Sequence, residues 1–237
     1  MDQYGLAQHV FVCSNDNYVV MLDVRRDRYF ALEESKAALL GNLVRGWPAQ
    51  SARFKVAGTD PPAPLVNALL RQGMLTETPG QGKDAVPVQF PTPTAELICE
   101  YERTDSSIGL RNIFTFFSSV LSVNLALRFR SFEQVIRRVQ RRKQSHSGLA
   151  HPTDIERAKQ LVETFQRLRV FLFSSKNRCL FDSLALLDFL ARYSVFPSWV
   201  FGVQASPFAA HCWVQSGDVV FNDSVEHVRA YTPIMVV

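Results

Sequence analysis

A run dense in proline, glycine and threonine, TPGQGKDAVPVQFPTPT (78–94), divides the chain. Proline lacks an amide donor and glycine carries a high backbone entropy, so neither a helix nor a central strand continues through such a run. It reads as a linker. The residues on either side are expected to fold around separate cores, and a length of 237 residues suits one or two domains. A hydrophobic share of 47% against 20% charged gives each part enough apolar surface to bury. The expected division is 1–78, a linker over 79–94, and 95–237.

The front part opens on β patterns. HVFVCSN (9–15) and YVVMLDV (18–24) flank the turn Asn15-Asp16-Asn17, and Arg25-Arg26-Asp27 leads into RYFAL (28–32). Apolar strands joined by such turns predict a β-meander. The period then changes. Glu33-Glu34-Ser35 starts a helix that Gly46 and Pro48 end. Pro61-Pro62-Ala63-Pro64 starts another, with Leu65, Ala68, Leu69 and Gln72 on one face, Gly73 as its cap and Met74-Leu75-Thr76 extended beyond it. The result is a small α+β unit in the winged-helix style.

The rear part reads as helices followed by a small antiparallel sheet, so the whole chain is α+β. Helices are expected over 95–102, 106–129, 131–144 and 153–173, with a break at Ser145-His146-Ser147-Gly148 and a capping box at Thr153-Asp154-Ile155-Glu156. An apolar helix, CLFDSLALLDFLARY (179–193), follows the polar loop 174–178. Strands are expected over 196–202, 211–215 and 219–221, the last two joined at Gly217-Asp218. The most apolar stretch, 112–129, contains Thr115, Ser118, Ser119, Ser122 and Asn124. Those interruptions favour a buried helix over a membrane span, with a membrane-surface helix as the lesser alternative. The opening residues MDQYGLAQHVFV show no basic region leading into a long apolar run, so a cytoplasmic, reducing setting with free thiols is expected. The net charge of +4 mildly favours an acidic partner and is too small to imply nucleic acid. The basic run 128–143 reads as a solvated helix face.

The cysteines Cys13, Cys99, Cys179 and Cys212 match no zinc spacing, so no metal site is expected. Cys13 and Cys99 read as inert buried thiols. Cys179 opens a helix, where unpaired N–H groups and the positive dipole end favour thiolate. Its base must come from elsewhere. His211 lies on a strand in AAHCWV, and Asp223 follows the next strand in VVFND. Adjacent antiparallel strands can set that carboxylate beside the imidazole. Strand alternation points Cys212 away from His211, so Cys212 is not expected to act with it. A metal site on Cys179, His211, Cys212 and His227 is disfavoured on the same ground.

Cys179 on a helix, AHCWV with His211 and FND with Asp223 together resemble the transglutaminase-like cysteine peptidases. With this length and front domain, the chain resembles the lasso-peptide maturation B proteins. The resemblance spans nearly the whole chain and is most specific over 174–230. One departure is Cys212, where a small apolar residue is more usual. The resemblance implies a winged-helix-type leader-recognition domain fused to a leader peptidase with Cys179, His211 and Asp223 as catalytic groups. It implies removal of the leader from a lasso precursor, exposing an amine for an asparagine-synthetase-like cyclase that uses ATP. The family reaction is also ATP-dependent, although no GxxxxGK[ST] motif is present. An extended leader would add to the edge of RYFAL against the helix from Pro64 to Gly73, with Tyr29, Phe30, Leu32, Leu65 and Leu69 as its contacts. Two other functions fit the same residues: an acyl transferase that passes the thioester to an amine, and a leader-binding chaperone with an inert rear half.

Overall fold

The computed structural model describes residues 4–48, 63–77, 80–97, 108–145, 155–169 and 179–237. Cys99, the break at 146–148, the capping residues Thr153 and Asp154, and the loop 174–178 lie outside them. Pro61 and Pro62 do so too. The chain separates into two compact units, one made of 1–89 with 202–210 and 232–235, the other of 90–201 with 211–231 and 236–237. The fold is mixed α+β, with seven helices among the described residues.

In the first unit, β1 (Gly5–Leu6) is followed by β2 (Val10–Asn15), β3 (Tyr18–Asp23) and β4 (Arg28–Glu33). The last three form the antiparallel meander, in register from Val10↔Asp23 and from Tyr18↔Glu33. Asp16 and Asp27 sit in the two turns at φ 51°, a left-handed conformation that Asp tolerates. The central strand β3 is buried almost throughout, whereas β4 lies at the sheet edge and is partly exposed. Two helices follow, α1 (Glu34–Ala38) and α2 (Ala63–Arg71), then β5 (Leu75–Thr76), which pairs with β1. Leu6, Val10, Val12, Val19, Met21 and Leu40 are central to the core. Phe30, Leu32 and Leu65 pack on its margin, and Leu69 lies within it. Tyr29, on the other face of β4, packs against Phe208 with ring centroids 5.6 Å apart.

The proline- and glycine-rich run does not hang free over its described part. Lys83 exchanges two 2.8 Å backbone hydrogen bonds with Leu6, and the Ala85 amide bonds Arg45 at 2.7 Å. A Cβ on Gly82 would come within 2.8 Å of the Gly5 Cα, so this approach of two backbones requires glycine.

The second unit contains β6 (Ala95–Glu96), α3 (Leu110–Phe129), α4 (Phe132–Gln144), α5 (Ile155–Arg169) and α6 (Cys179–Ala191). After α6 come β7 (Ser198–Gln204), β8 (Ala209–Ser216), β9 (Val219–Val220), α7 (Val225–Val228) and β10 (Thr232–Val236), of which residues 202–204, 209–210 and 232–235 count with the first unit. The five strands run in the order β10-β7-β8-β9-β6.

Two expectations are corrected here. Residues 95–96 are a strand parallel to β9 and not the start of a helix. Prolines 91 and 93 deliver an extended chain, and the Thr94 and Ala95 amides then bond the Asp218 carbonyl. The second concerns α3, which is helical as expected but is not a buried helix. Phe116, Ser119, Val123 and Ala126 make its one buried face, and most of the rest is open. Its length and apolarity would suffice to cross a membrane. The strand β10 and helix α7 were not anticipated. Nor was the capping box that starts α4, in which Ser131 and Gln134 serve each other's backbone amides.

Helix α6 is the centre of this unit. Every residue from Asp182 to Leu190 is buried. Its two carboxylates are answered by arginine: Asp182 by Arg169 at 2.8 Å, and Asp188 by Arg142 at 2.5 Å and Arg192 at 3.2 Å. Phe165 packs between Phe116 and Phe189, with ring centroids at 5.3 and 5.5 Å. Removing the fully buried Phe189 ring would leave a cavity among these rings. Phe189→Ala is therefore expected to cost about 3–5 kcal/mol, measured by denaturant unfolding.

Candidate active site

The N-terminal residue of α6 brings the predicted groups together. Cys179 opens the helix and is partly accessible. Its thiol hydrogen-bonds to the His211 imidazole and to Cys212. His211 sits on β8, and its Nε2 lies 2.5 Å from Asp223 Oδ2, which leaves Nδ1 for the sulfur. Asp223 follows β9 across the Gly217 turn, where Gly217 has φ 58°. The hairpin is pinned by side chains. Asn222 accepts from the Val214 amide at 2.8 Å, and Gln215 donates to the carbonyls of Pro91 and Gly217 at 2.8 Å each.

Two further groups complete the arrangement: His227, named in the sequence only within the disfavoured metal set, and Tyr231, which went unread. His227 Nδ1 lies 2.9 and 3.1 Å from the two oxygens of Asp223, whose Oδ1 also accepts from the Ser224 amide at 2.8 Å. Asp223 and His227 stand four residues apart across the start of a short helix, a spacing that places side chains together. The His211 ring lies 4.7 Å from the His227 ring and 5.2 Å from that of Tyr231. The donor atoms of His211, Asp223 and His227 fall within 4.8 Å of one another, so among the described residues these three could hold a metal ion. The hydrogen bonds through Asp223 already account for their clustering.

The expectation that Cys212 stays apart from the pair is overturned. Alternation does separate the directions of His211 and Cys212, but their Cα atoms are only about 3.8 Å apart. A thiol at the end of a helix reaches both. Beneath it, Ser183 Oγ lies 3.4 Å from Cys212 Sγ, donates to the Cys179 carbonyl at 2.6 Å and accepts from Trp199 Nε1 at 2.8 Å.

The electrostatics follow from these contacts. The hydrogen bond from Cys212 and the one with His211 outweigh burial and bring Cys179 down to about 4. Burial opposes the charged form of His211, but its bonds to Asp223 and Cys179 lift it to about 9. Cys212 is pushed up by its bond to Cys179 and by burial, so it stays a thiol. Burial would raise Asp223, yet His211, His227 and the Ser224 amide hold it below the usual carboxylate range. Between about 4 and about 9, the pair is therefore thiolate and imidazolium. Cys13, by contrast, is pushed up to about 12 by burial and is inert.

The remaining sequence candidates, Tyr29, Phe30, Leu32, Leu65 and Leu69, lie on β4 and α2 of the first unit. Residues 119–236 match the profile of the transglutaminase-like superfamily. Searches of curated proteins and of solved structures return no significant match. The chain carries, over residues 119–236, a domain of the transglutaminase-like superfamily, a grouping of cysteine peptidases and acyl transferases.

Proposed function

We infer that the protein is a cytoplasmic cysteine peptidase that removes the leader from a ribosomally made lasso-peptide precursor. The observation that carries the peptidase reading is the thiol at the start of α6, hydrogen-bonded to an imidazole that a carboxylate holds. The thiolate of Cys179 attacks the scissile carbonyl. The first amides of α6 have no acceptor within the helix and are free to stabilise the oxyanion. His211 gives its Nδ1 proton to the leaving amine, which departs as the new N-terminus of the core. His211 then takes a proton from water, which attacks the thioester and releases the leader with its carboxylate, restoring the thiolate.

The leader reading rests on the first unit. The edge position of β4 leaves a strand to which an extended peptide can add. Phe30, Leu32 and Leu65 lie at the core margin, where a leader side chain would meet them, and Tyr29 with Phe208 offers an aromatic surface on the other face. Leu69 supports this wall from within the core. This unit would serve as the winged-helix-type recognition domain. An asparagine-synthetase-like cyclase would take the exposed amine and use ATP. ATP belongs to this reading through the family resemblance, and the chain carries no GxxxxGK[ST] motif to hold it.

Mass spectrometry of the precursor incubated with the protein tests this reading. Two fragments whose masses sum to precursor plus water are expected. A fragment that has gained an added amine would make the protein an acyl transferase, and an intact but tightly bound precursor would make it a chaperone. Cleavage is further expected to follow a bell in pH. It should fall below about 4, as the thiolate gains a proton, and above about 9, as the imidazolium loses one. Initial rates across pH check it.

A further inference from the structure

Helix α3 has two apolar faces, and only one of them is covered by the described residues. Phe116, Ser119, Val123 and Ala126 turn inward. On the opposite side Leu110, Phe114, Phe117, Leu121 and Leu125 recur at steps of three or four residues, which makes one continuous stripe. Phe129, close to its end, is 73% exposed, and Phe114 is 75% exposed. The stripe is a convex ridge about 30 Å long, the length of a 20-residue helix. A soluble chain rarely leaves such a ridge uncovered.

The neighbouring surface says what covers it. Immediately after Phe129, Arg130 joins Arg137, Arg138, Arg141 and Arg142 around one open concavity on α4. Arg138 also donates to Ser122 at 3.0 Å, and Ser122 lies beside Leu121 and Leu125 on α3. The concavity therefore borders the stripe. Glu133 pairs with Arg137, and Asp188 pairs with Arg138, Arg142 and Arg192, so among the described residues three of the five guanidiniums share these two carboxylates. The crowding is felt at Arg138, which burial and the charges of Arg142, Arg130 and Arg192 hold below the usual range against Asp188.

We propose that the α3–α4 hairpin is a peripheral docking surface for an anionic lipid bilayer, with the aromatic and leucine stripe of α3 lying in the interface and the arginines of α4 on the lipid phosphates. A single convex helix fits a bilayer interface, which accepts a ridge without a matching groove. Guanidinium recognises phosphate in two-pronged fashion and is drawn to a negative leaflet. The reading is independent of what Cys179 cleaves.

Flotation of the full chain with vesicles tests it, using phosphatidylglycerol mixed with phosphatidylcholine against phosphatidylcholine alone. Binding to the anionic vesicles is expected, weaker at high salt, and much weaker on the neutral ones. Phe114→Ser with Leu121→Ser should reduce binding on the order of tenfold, and Arg137→Gln with Arg141→Gln by a similar factor. All four side chains are exposed, so unchanged thermal unfolding of the variants is expected alongside. Absence of binding to anionic vesicles overturns the proposal. So does binding that the arginine changes abolish and the stripe changes leave intact, since that assigns the arginines to a soluble phosphate compound. Sedimentation velocity supplies the last arm: a dimer that the stripe variant converts to monomer gives the ridge to a second copy of the chain and overturns the lipid reading.

Discussion

Cys179→Ala is expected to abolish precursor cleavage while the leader still binds. The sulfur is the only atom of the site that forms a bond to the substrate in the proposed route, and no neighbour among the described residues can replace it. Cys212 comes closest, touching both Cys179 and Ser183, but it is buried and its thiol is pushed well above the ordinary range. Removing Cys179 also removes the negative charge that favours that state. Even so, the Cys212 sulfur stays enclosed by the Ser183 hydroxyl and the Trp199 indole bonded to it. The loss should therefore reach the assay background, on the order of 10⁴-fold or more. Leader affinity should stay within about twofold, because β4 and α2 belong to the other unit. Cleavage by mass spectrometry and leader binding by fluorescence anisotropy read the two separately. A variant that still cuts at the normal rate shows that Cys179 is not the nucleophile.

Much of this site could be read in the sequence because its groups are marked by chemistry and order. A cysteine opening an apolar helix, then a histidine and an aspartate on successive strands, needs no distance to be recognised, and the structure brings those three together. The remainder was hidden for physical reasons. Alternation along β8 predicted the direction of the Cys212 side chain but not the position of α6 relative to the strand. His227 reaches Asp223 only because Ser224 caps a helical turn, accepting from the His227 amide at 3.2 Å, and that turn is too short to show a period. The meander and the main helices followed from periodicity. β6 did not, since its two residues are extended by their tertiary hydrogen bonds and their own preferences are weak. For α3, the apolar run established a helix, and its burial as a whole was the wrong inference. Apolar composition cannot distinguish a side covered by this chain from a side left for another partner.

The Asp223 carboxylate carries the second large effect. It holds His211 Nε2 at 2.5 Å and is itself fixed by His227 and the Ser224 amide. Asp223→Ala should lower cleavage by about 10³-fold, the scale expected when the orienting acid of a nucleophile–base pair is lost. The pH profile separates this role from simple damage to the fold. Without the carboxylate, His211 loses the larger of the two groups that raise it and keeps only Cys179, so the alkaline limb should descend from about 9 in the direction of the ordinary imidazole value of 6.5. A weaker imidazolium stabilises the thiolate less, so the acid limb should climb from about 4. Both limbs move inward and the plateau narrows. Asp223→Asn keeps an acceptor for the ring but not the charge, so it should retain more activity than the alanine variant while showing the same downward shift of the alkaline limb. If Asp223→Ala lowers the rate and leaves both limbs in place, Asp223 only supports the hairpin, and the imidazole is charged by something else.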